Sequence, residues 1–329
     1  MKSPNSAQSP SSPIATIQVD LDSLWAVKQV YGIPVQEQDI EDDPLFETGL
    51  TRILEMLDER ETKATLFVIG KDCESEKKVR LLKQAADAGH KLANHSYHHP
   101  IGMGNLPPEE ILAEIEKTNA AIEQISGSTP IGFRSPGYDI SPAIIDALIR
   151  AGMRYDASIL PSPFTAVMRV VARLIARGGS AAGKGHYGRG PLWKAPTSPY
   201  VPDPQYPWKE AGNDSNAPQQ LMEFPVSVSP GLRMPIHAGI AIQFGLQWLR
   251  RSLRKLASRD HAQVHYVFHL TDLTGGEELD GLPRGFLAGR VLGRSSSSKT
   301  AFARETLDCL QSLFTILTVE ELISRNQFS

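Results

Sequence analysis

The chain has 329 residues, 41% of them hydrophobic, and a formal net charge of −3 at pH 7. That is ample apolar material for a sizeable core, and too little positive charge to make nucleic acid the partner. The two cysteines, Cys73 and Cys309, fit no metal or redox spacing, and no run approaches the roughly 20 apolar residues of a membrane span, so the sequence reads as soluble and cytoplasmic.

Residues 1–13, MKSPNSAQSPSSP, are Ser/Pro-rich with no apolar centre and read as a disordered tail, not a signal peptide. IATIQVD (14–20) is a β-branched strand ending at an acid. In 45–58, Leu50, Ile53, Leu54 and Leu57 fall on one helical face. KATLFVIG (63–70) is a second strand, 77–89 a helix stopped by Gly, and HKLAN (90–94) a short extended piece. Proline and acids open a helix over 107–127 and Gly closes it. PIGFR (130–134) is a strand, 141–152 a helix opened by Ser-Pro, and MRYDAS (153–158) another strand. Late in the chain come a strand at 264–270, a helix at 301–313, and a closing strand and helix start at 314–323. Strands alternating with helices indicate parallel β/α units in a single domain over 14–325. Polar residues at the strand ends favour a β/α barrel with a large irregular insertion, about 160–220, over an open sheet.

Those strand ends carry the candidate chemistry. Asp20 and Asp22 are two apart in QVDLDS and so face the same way; they are either two solvated acids or a pair in which one binds a cation and the other handles a proton. LANHSYHHP (92–100) concentrates three of the chain's nine histidines. His95 and His99, four apart, project together if the segment turns helically, while His98 points elsewhere. With Asp22 they form a His₂-Asp set, which leaves a position open for water, as in a catalytic metal site. Zinc is the default ion, and cobalt, nickel or manganese also fit. Arg134 ends a strand and suits a carboxylate partner, and Gly137 allows close backbone approach. Asp156 reads as an orienting acid or a helix cap, and His269, before Asp272 in VFHLTD, as a core histidine or part of the same rim.

Two basic amphipathic segments, 165–178 and 244–259, read as helices packed on the barrel or as peripheral contacts with a membrane surface. Trp193, Tyr200 and His237 are candidates to stack on a sugar ring; EFPVSV (223–228) reads better as one more barrel strand.

The order and form of these motifs resemble the polysaccharide deacetylases, carbohydrate esterase family 4. VDLDS resembles the first motif, His95-Ser96-Tyr97-His98-His99-Pro100 matches the second in full, and RSPGY keeps Arg134 and Pro136 of the third but places Gly137 before Tyr138. YDAS represents the fourth only through Asp156, with no tryptophan nearby, and His269 supplies the late histidine of the fifth. The resemblance implies a distorted (β/α)₇ barrel and a divalent metal held by Asp22, His95 and His99. It also implies hydrolysis of an N-acyl, chiefly N-acetyl, group on an amino sugar of a polysaccharide, oligosaccharide or lipid-linked glycan. Asp20 is then the base, held by Arg134, and His269 the acid, supported by Asp156. Pro136, Gly137 and Tyr138 face the substrate, with a backbone N–H near Gly137–Tyr138 receiving the oxyanion. Two competing readings are an amidohydrolase or deformylase acting on a small or cyclic amide and a silent carbohydrate-binding protein; the second has no use for both Asp20 and His269.

Overall fold

The computed structural model describes residues 12–166, 190–212, 221–279 and 293–325. The strands in chain order are β1 (Ile14–Asp20), β2 (Thr65–Val68), β3 (Lys91–Asn94), β4 (Gly132–Phe133), β5 (Tyr155–Asp156), β6 (Met222–Glu223), β7 (Gln263–His269) and β8 (Thr315–Leu317). They form one parallel, curled sheet in the order β6-β5-β4-β3-β2-β1-β7, with β8 beside the first half of β1. The sheet curls shut through residues 227–237. The Ser227 N–H donates to His265 O at 3.3 Å, the His265 N–H donates to Ser227 Oγ at 2.8 Å, and His237 bridges Val267 in parallel. This is the distorted (β/α)₇ barrel that the motifs imply.

β1 is buried along its whole length because it separates two fillings. Ala15, Ile17 and Val19 join the larger core with Leu50, Ile53 and Leu57 of the helix Pro44–Asp58. That helix starts where Asp43 accepts the Phe46 N–H at 2.9 Å with a proline in its first turn. The opposite face, Thr16, Gln18 and Asp20, looks into the barrel. There Phe67, Ala93, Tyr155 and Phe224 form a separate apolar plug. The helices Glu76–Asp87, Pro108–Ser126 and Pro142–Arg150 cover the outside of the middle strands, and Pro108–Ser126 ends on Gly127 at φ 76°.

The sequence periodicity overextends the strands. The expected 63–70, 130–134 and 153–158 shrink to Thr65–Val68, Gly132–Phe133 and Tyr155–Asp156. EFPVSV contributes its Glu223 to β6 and then crosses towards β7. The segment 244–259 contains the helix Leu246–Ala257, whose Leu249, Leu253 and Leu256 are buried in the main core. Its apolar face therefore packs on the barrel, leaving only the basic face outside. The 165–178 segment lies outside the described residues from 167 onward, as do residues 1–11 of the Ser/Pro-rich tail and, in the insertion, 167–189 and 213–220.

Gly132 faces the plug, where a Cβ would fall 1.8 Å from Tyr155 Cζ. Gly132→Ala is expected to destabilise the barrel by about 1–3 kcal/mol through overpacking. The check is a lower urea midpoint at an unchanged slope; an unmoved midpoint means the Tyr155 ring lies elsewhere.

Candidate active site

Asp20 ends β1 level with Phe67 of β2 and His269 of β7, at the C-terminal rim of the barrel. Its Oδ1 accepts from Arg134 Nη1 at 2.5 Å. Arg134, just past β4, is fully buried, so its charge needs partners. Nη2 donates to Gln18 Oε1, Nε donates to Ala157 O at 2.9 Å, and the guanidinium lies 4.2 Å from the centre of the Phe67 ring. The guanidinium is thus fixed on every side, and with it the position of Asp20.

Asp22 sits on the loop after β1, and the residues that follow it are anchored below. Ser23 Oγ donates to Asp72, the Leu24 N–H donates to Asp43 Oδ2 at 3.0 Å, and Trp25 Nε1 donates to Asp72 Oδ1 at 2.8 Å. The buried Lys78 ammonium ties Asp43 and Asp72 together at 2.8 and 2.7 Å. Sequence reasoning missed this cluster, because its members come from three separated segments.

The histidine loop turns without forming a helix. Ser96 and His99 take left-handed backbone conformations, φ 61° and 50°, and this is what brings His95 and His99 together. The loop is held from outside. Asn94 Oδ1 accepts the Ser96 N–H at 2.8 Å, and Glu114 Oε2 accepts the N–H groups of Tyr97 and His98 at 2.9 and 2.7 Å. His98 Nδ1 lies 2.6 Å from Glu114 Oε1, so this ring turns away from the other two, as expected.

Asp22, His95 and His99 bring one ligand atom each within 4.8 Å of one another. His95 Nδ1 lies 2.7 Å from the Arg134 carbonyl oxygen. A carbonyl only accepts, so Nδ1 carries the proton and the neutral ring turns its Nε2 lone pair towards Asp22. The Nε2 atoms of both histidines stand 3.4 Å from Asp22 Oδ1, a buried oxygen without a hydrogen-bond partner. Electron pairs that converge without protons between them suit a cation, and an N₂O donor set suits zinc or its neighbours. Burial works to raise the Asp22 carboxyl; without a cation, protonated imidazoles at His95 and His99 hold it well below the usual carboxylate range, the place a bound cation takes when their lone pairs face it.

Across the rim, His269 Nε2 is 3.5 Å from Asp20 Oδ2 and 3.5 Å from the Tyr138 hydroxyl. Burial disfavours its charge, yet Asp272, Asp20 and Asp22 together raise its pKa to about 9. The carboxylate beside its Nδ1, at 3.4 Å, belongs to Asp272. Asp156 is not there: its Oδ1 accepts from Ser158 Oγ at 2.5 Å and its pKa is raised to about 6 by burial. The register explains the difference. Asp156 is level with Phe133 and Glu223, and Phe133 packs on the outer helices, whereas Asp20 and His269 share the inner face. Pro136–Tyr138 forms a tight turn with Gly137 at φ 63° and Tyr138 at φ 57°. The Tyr138 N–H donates to Ser135 O at 3.1 Å inside this turn, and the tyrosine hydroxyl faces the site. His237 adds a ring 5.9 Å from that of His269. Gln18 was also overlooked, although a glutamine two residues before Asp20 on the same strand face was a readable signal.

Residues 39–155, which include His95, His99 and Arg134, match the polysaccharide deacetylase family profile. The chain is 30% identical over 151 residues to a peptidoglycan deacetylase of Helicobacter pylori, covering 45% of this chain and 50% of that protein. It is 29% identical over 117 residues to a peptidoglycan-N-acetylglucosamine deacetylase of Bacillus cereus, covering 34% of this chain and 42% of that one. The matched stretches thus span half or less of these relatives. A provisionally assigned polysaccharide deacetylase of Mycobacterium smegmatis superimposes with a TM-score of 0.58 at 17% identity, over 98% of this chain and 93% of that one, which establishes likeness of fold.

His95→Ala removes a donor whose second nitrogen is anchored on Arg134. The expected outcome is a fall in bound zinc from one equivalent to a small fraction after dialysis, with the far-ultraviolet circular dichroism retained. Full zinc content by elemental analysis contradicts the ligand set.

Proposed function

From the premise that the chain belongs to the polysaccharide deacetylase family, we propose that it is a metal-dependent hydrolase removing an N-acetyl group from an amino sugar within a glycan. The observation that carries this reading is the division of labour between two acids two residues apart, one ending β1 and one on the loop after it. Asp22 faces two imidazoles, while Asp20, two residues earlier, faces a guanidinium on one side and an imidazole on the other.

Asp22, His95 and His99 would hold a divalent ion, with zinc the first choice, which would supply a water of lowered pKa and polarisation of the amide carbonyl. Asp20 takes the proton from the attacking water, kept outside the ligand set by its bond to Arg134. His269, protonated at neutral pH, gives the proton on Nε2 to the nitrogen as the C–N bond breaks. Amide and water thus become amine and carboxylic acid, and the proton that Asp20 gained restores His269, 3.5 Å away. The Tyr138 hydroxyl, equally close to Nε2, orients the ring or the departing group.

The relatives' names favour a peptidoglycan-like acceptor. Both thiols are free, which suits a reducing, cytoplasmic setting, and burial with the neighbouring Asp72 and Glu74 pushes the Cys73 thiol up to about 12 and so keeps it unreactive. Among the described residues no helix is long and apolar enough to cross a membrane. The outward basic face of Leu246–Ala257, next to the exposed Phe244, suits peripheral contact with an anionic membrane surface carrying a lipid-linked glycan.

The test is acid release by zinc-reconstituted protein from chitooligosaccharides, peptidoglycan fragments, lipid-linked amino sugars, formamido sugars and cyclic amides. Acetate from an amino sugar supports the proposal, and turnover of the cyclic amides alone replaces it. In the active case Asp20→Asn is expected to keep its zinc and lose about three or more orders of magnitude in kcat; full activity in that variant removes Asp20 as the base.

A further inference from the structure

The proton donor needs a carboxylate behind it, and the one on the fourth motif faces the other way. His269 ends β7, and the chain then turns at once through Leu270–Asp272. This turn is a reciprocal cap. The His269 N–H donates to Asp272 Oδ2 at 2.9 Å, and the same carboxylate lies 3.4 Å from Nδ1 of the same residue. Asp272 is buried, so its charge is felt at nearly full strength. The turn is clamped from a different part of the chain. Lys299, on the helix Ser296–Leu313 and 1% exposed, donates from Nζ to Thr271 O at 2.8 Å and to Thr274 O at 2.6 Å. The two carbonyls bracket Asp272. The mechanism above has no other use for this buried ammonium.

We propose that Asp272, clamped by Lys299, is the positioning carboxylate of the proton donor His269, in place of Asp156. The inference rests on the deacetylase reading for its catalytic meaning, but its geometry is independent of the substrate. The charge on His269 is set from several elements: Asp20 from β1, Asp272 from its own turn, Asp22 from the loop after β1, the Tyr138 hydroxyl from the turn after β4, and the His237 ring from the segment before Ala238–Phe244. Of these, Asp272 alone reaches Nδ1 among the described residues. It therefore keeps one proton on Nδ1, so that the second proton of the charged ring sits on Nε2, towards Asp20 and the departing nitrogen. Lys299 is faced by Asp272, Glu277, Glu278 and Arg294, and burial lowers its pKa to about 8. Asp156 is paired on the outer face, beside Ser158 and the equally buried Glu223, whose carboxyl is pushed well above its usual range by burial and by Asp156.

The experiment is a proton NMR titration of the His269 Cε1–H in the zinc-loaded full chain, assigned with His269→Gln, for wild type, Asp272→Asn and Asp156→Asn. It needs no substrate, so it is independent of the deacetylase reading. Asp272→Asn is expected to lower the midpoint of the ring by about one pH unit or more relative to wild type. Asp156→Asn leaves it in place. A lowered midpoint in Asp156→Asn, or an unmoved one in Asp272→Asn, overturns the proposal. Should Asp272→Asn fail to fold, Asp156→Asn decides alone: an unmoved midpoint supports the exchange and a lowered one refutes it. With an accepted substrate, Asp272→Asn moves the alkaline limb of the kcat profile down by the same amount and leaves the acid limb unmoved. Lys299→Met lowers kcat about tenfold at unchanged KM and zinc content; unchanged kcat removes Lys299 from the arrangement.

Discussion

Arg134 is the residue on which both halves of the site depend. Its side chain holds Asp20, and its backbone carbonyl fixes the tautomer of His95. One position after β4 therefore sets the carboxylate of Asp20 and aims one of the two imidazoles that face Asp22. A buried guanidinium is tolerable only when its donors are engaged, and here Asp20, Gln18, Ala157 O and the Phe67 ring engage it. Substitution by lysine would keep the charge and lose the fork that spans Asp20 and Gln18.

The interior of the barrel continues this logic downward. Gln18 accepts from Arg134 and donates from Nε2 to Thr16 Oγ1 at 2.9 Å. The threonine hydroxyl also shares a hydrogen bond with His265 Nδ1, 2.9 Å away. His265 stays neutral, because burial and the charge of Arg134 push its pKa down to about 3. A file of inward residues on β1, ending at Asp20, thus links the rim to the base of the fold. The apolar plug of Phe67, Tyr155 and Phe224 surrounds it and excludes the water that would otherwise screen it.

Much of this was legible in the sequence. The strand ends carry the polar residues, and the histidine motif predicts the meeting of His95 and His99 beside Asp22 together with the outward turn of His98. The helical turn assumed for His95 and His99 was the wrong reason for a correct pairing, because left-handed φ at Ser96 and His99 cannot be read from residues that rarely adopt it. Asp156 was assigned to the wrong face because β5 has only two residues, too few for alternation to fix its phase. Its partner in register, Glu223, lies beyond a long insertion, so only the fold reveals the pair. Asp272 was visible three residues after His269, the spacing of a capping box, but without a helical run following it the signal had no context. The Asp43–Lys78–Asp72 cluster and the Lys299 clamp are long-range contacts between residues that read singly as surface charges.

The central claim is that Asp22, His95 and His99 meet on one cation while Asp20, held by Arg134, stays off it. Anomalous diffraction above and below the zinc edge, on crystals of the zinc-loaded protein, measures this directly. The account predicts one strong peak within bonding distance of Asp22, His95 and His99, with the Asp20 carboxylate still on Arg134 and outside the coordination sphere. A peak that Asp20 also ligates, or none between the two histidines, would contradict it.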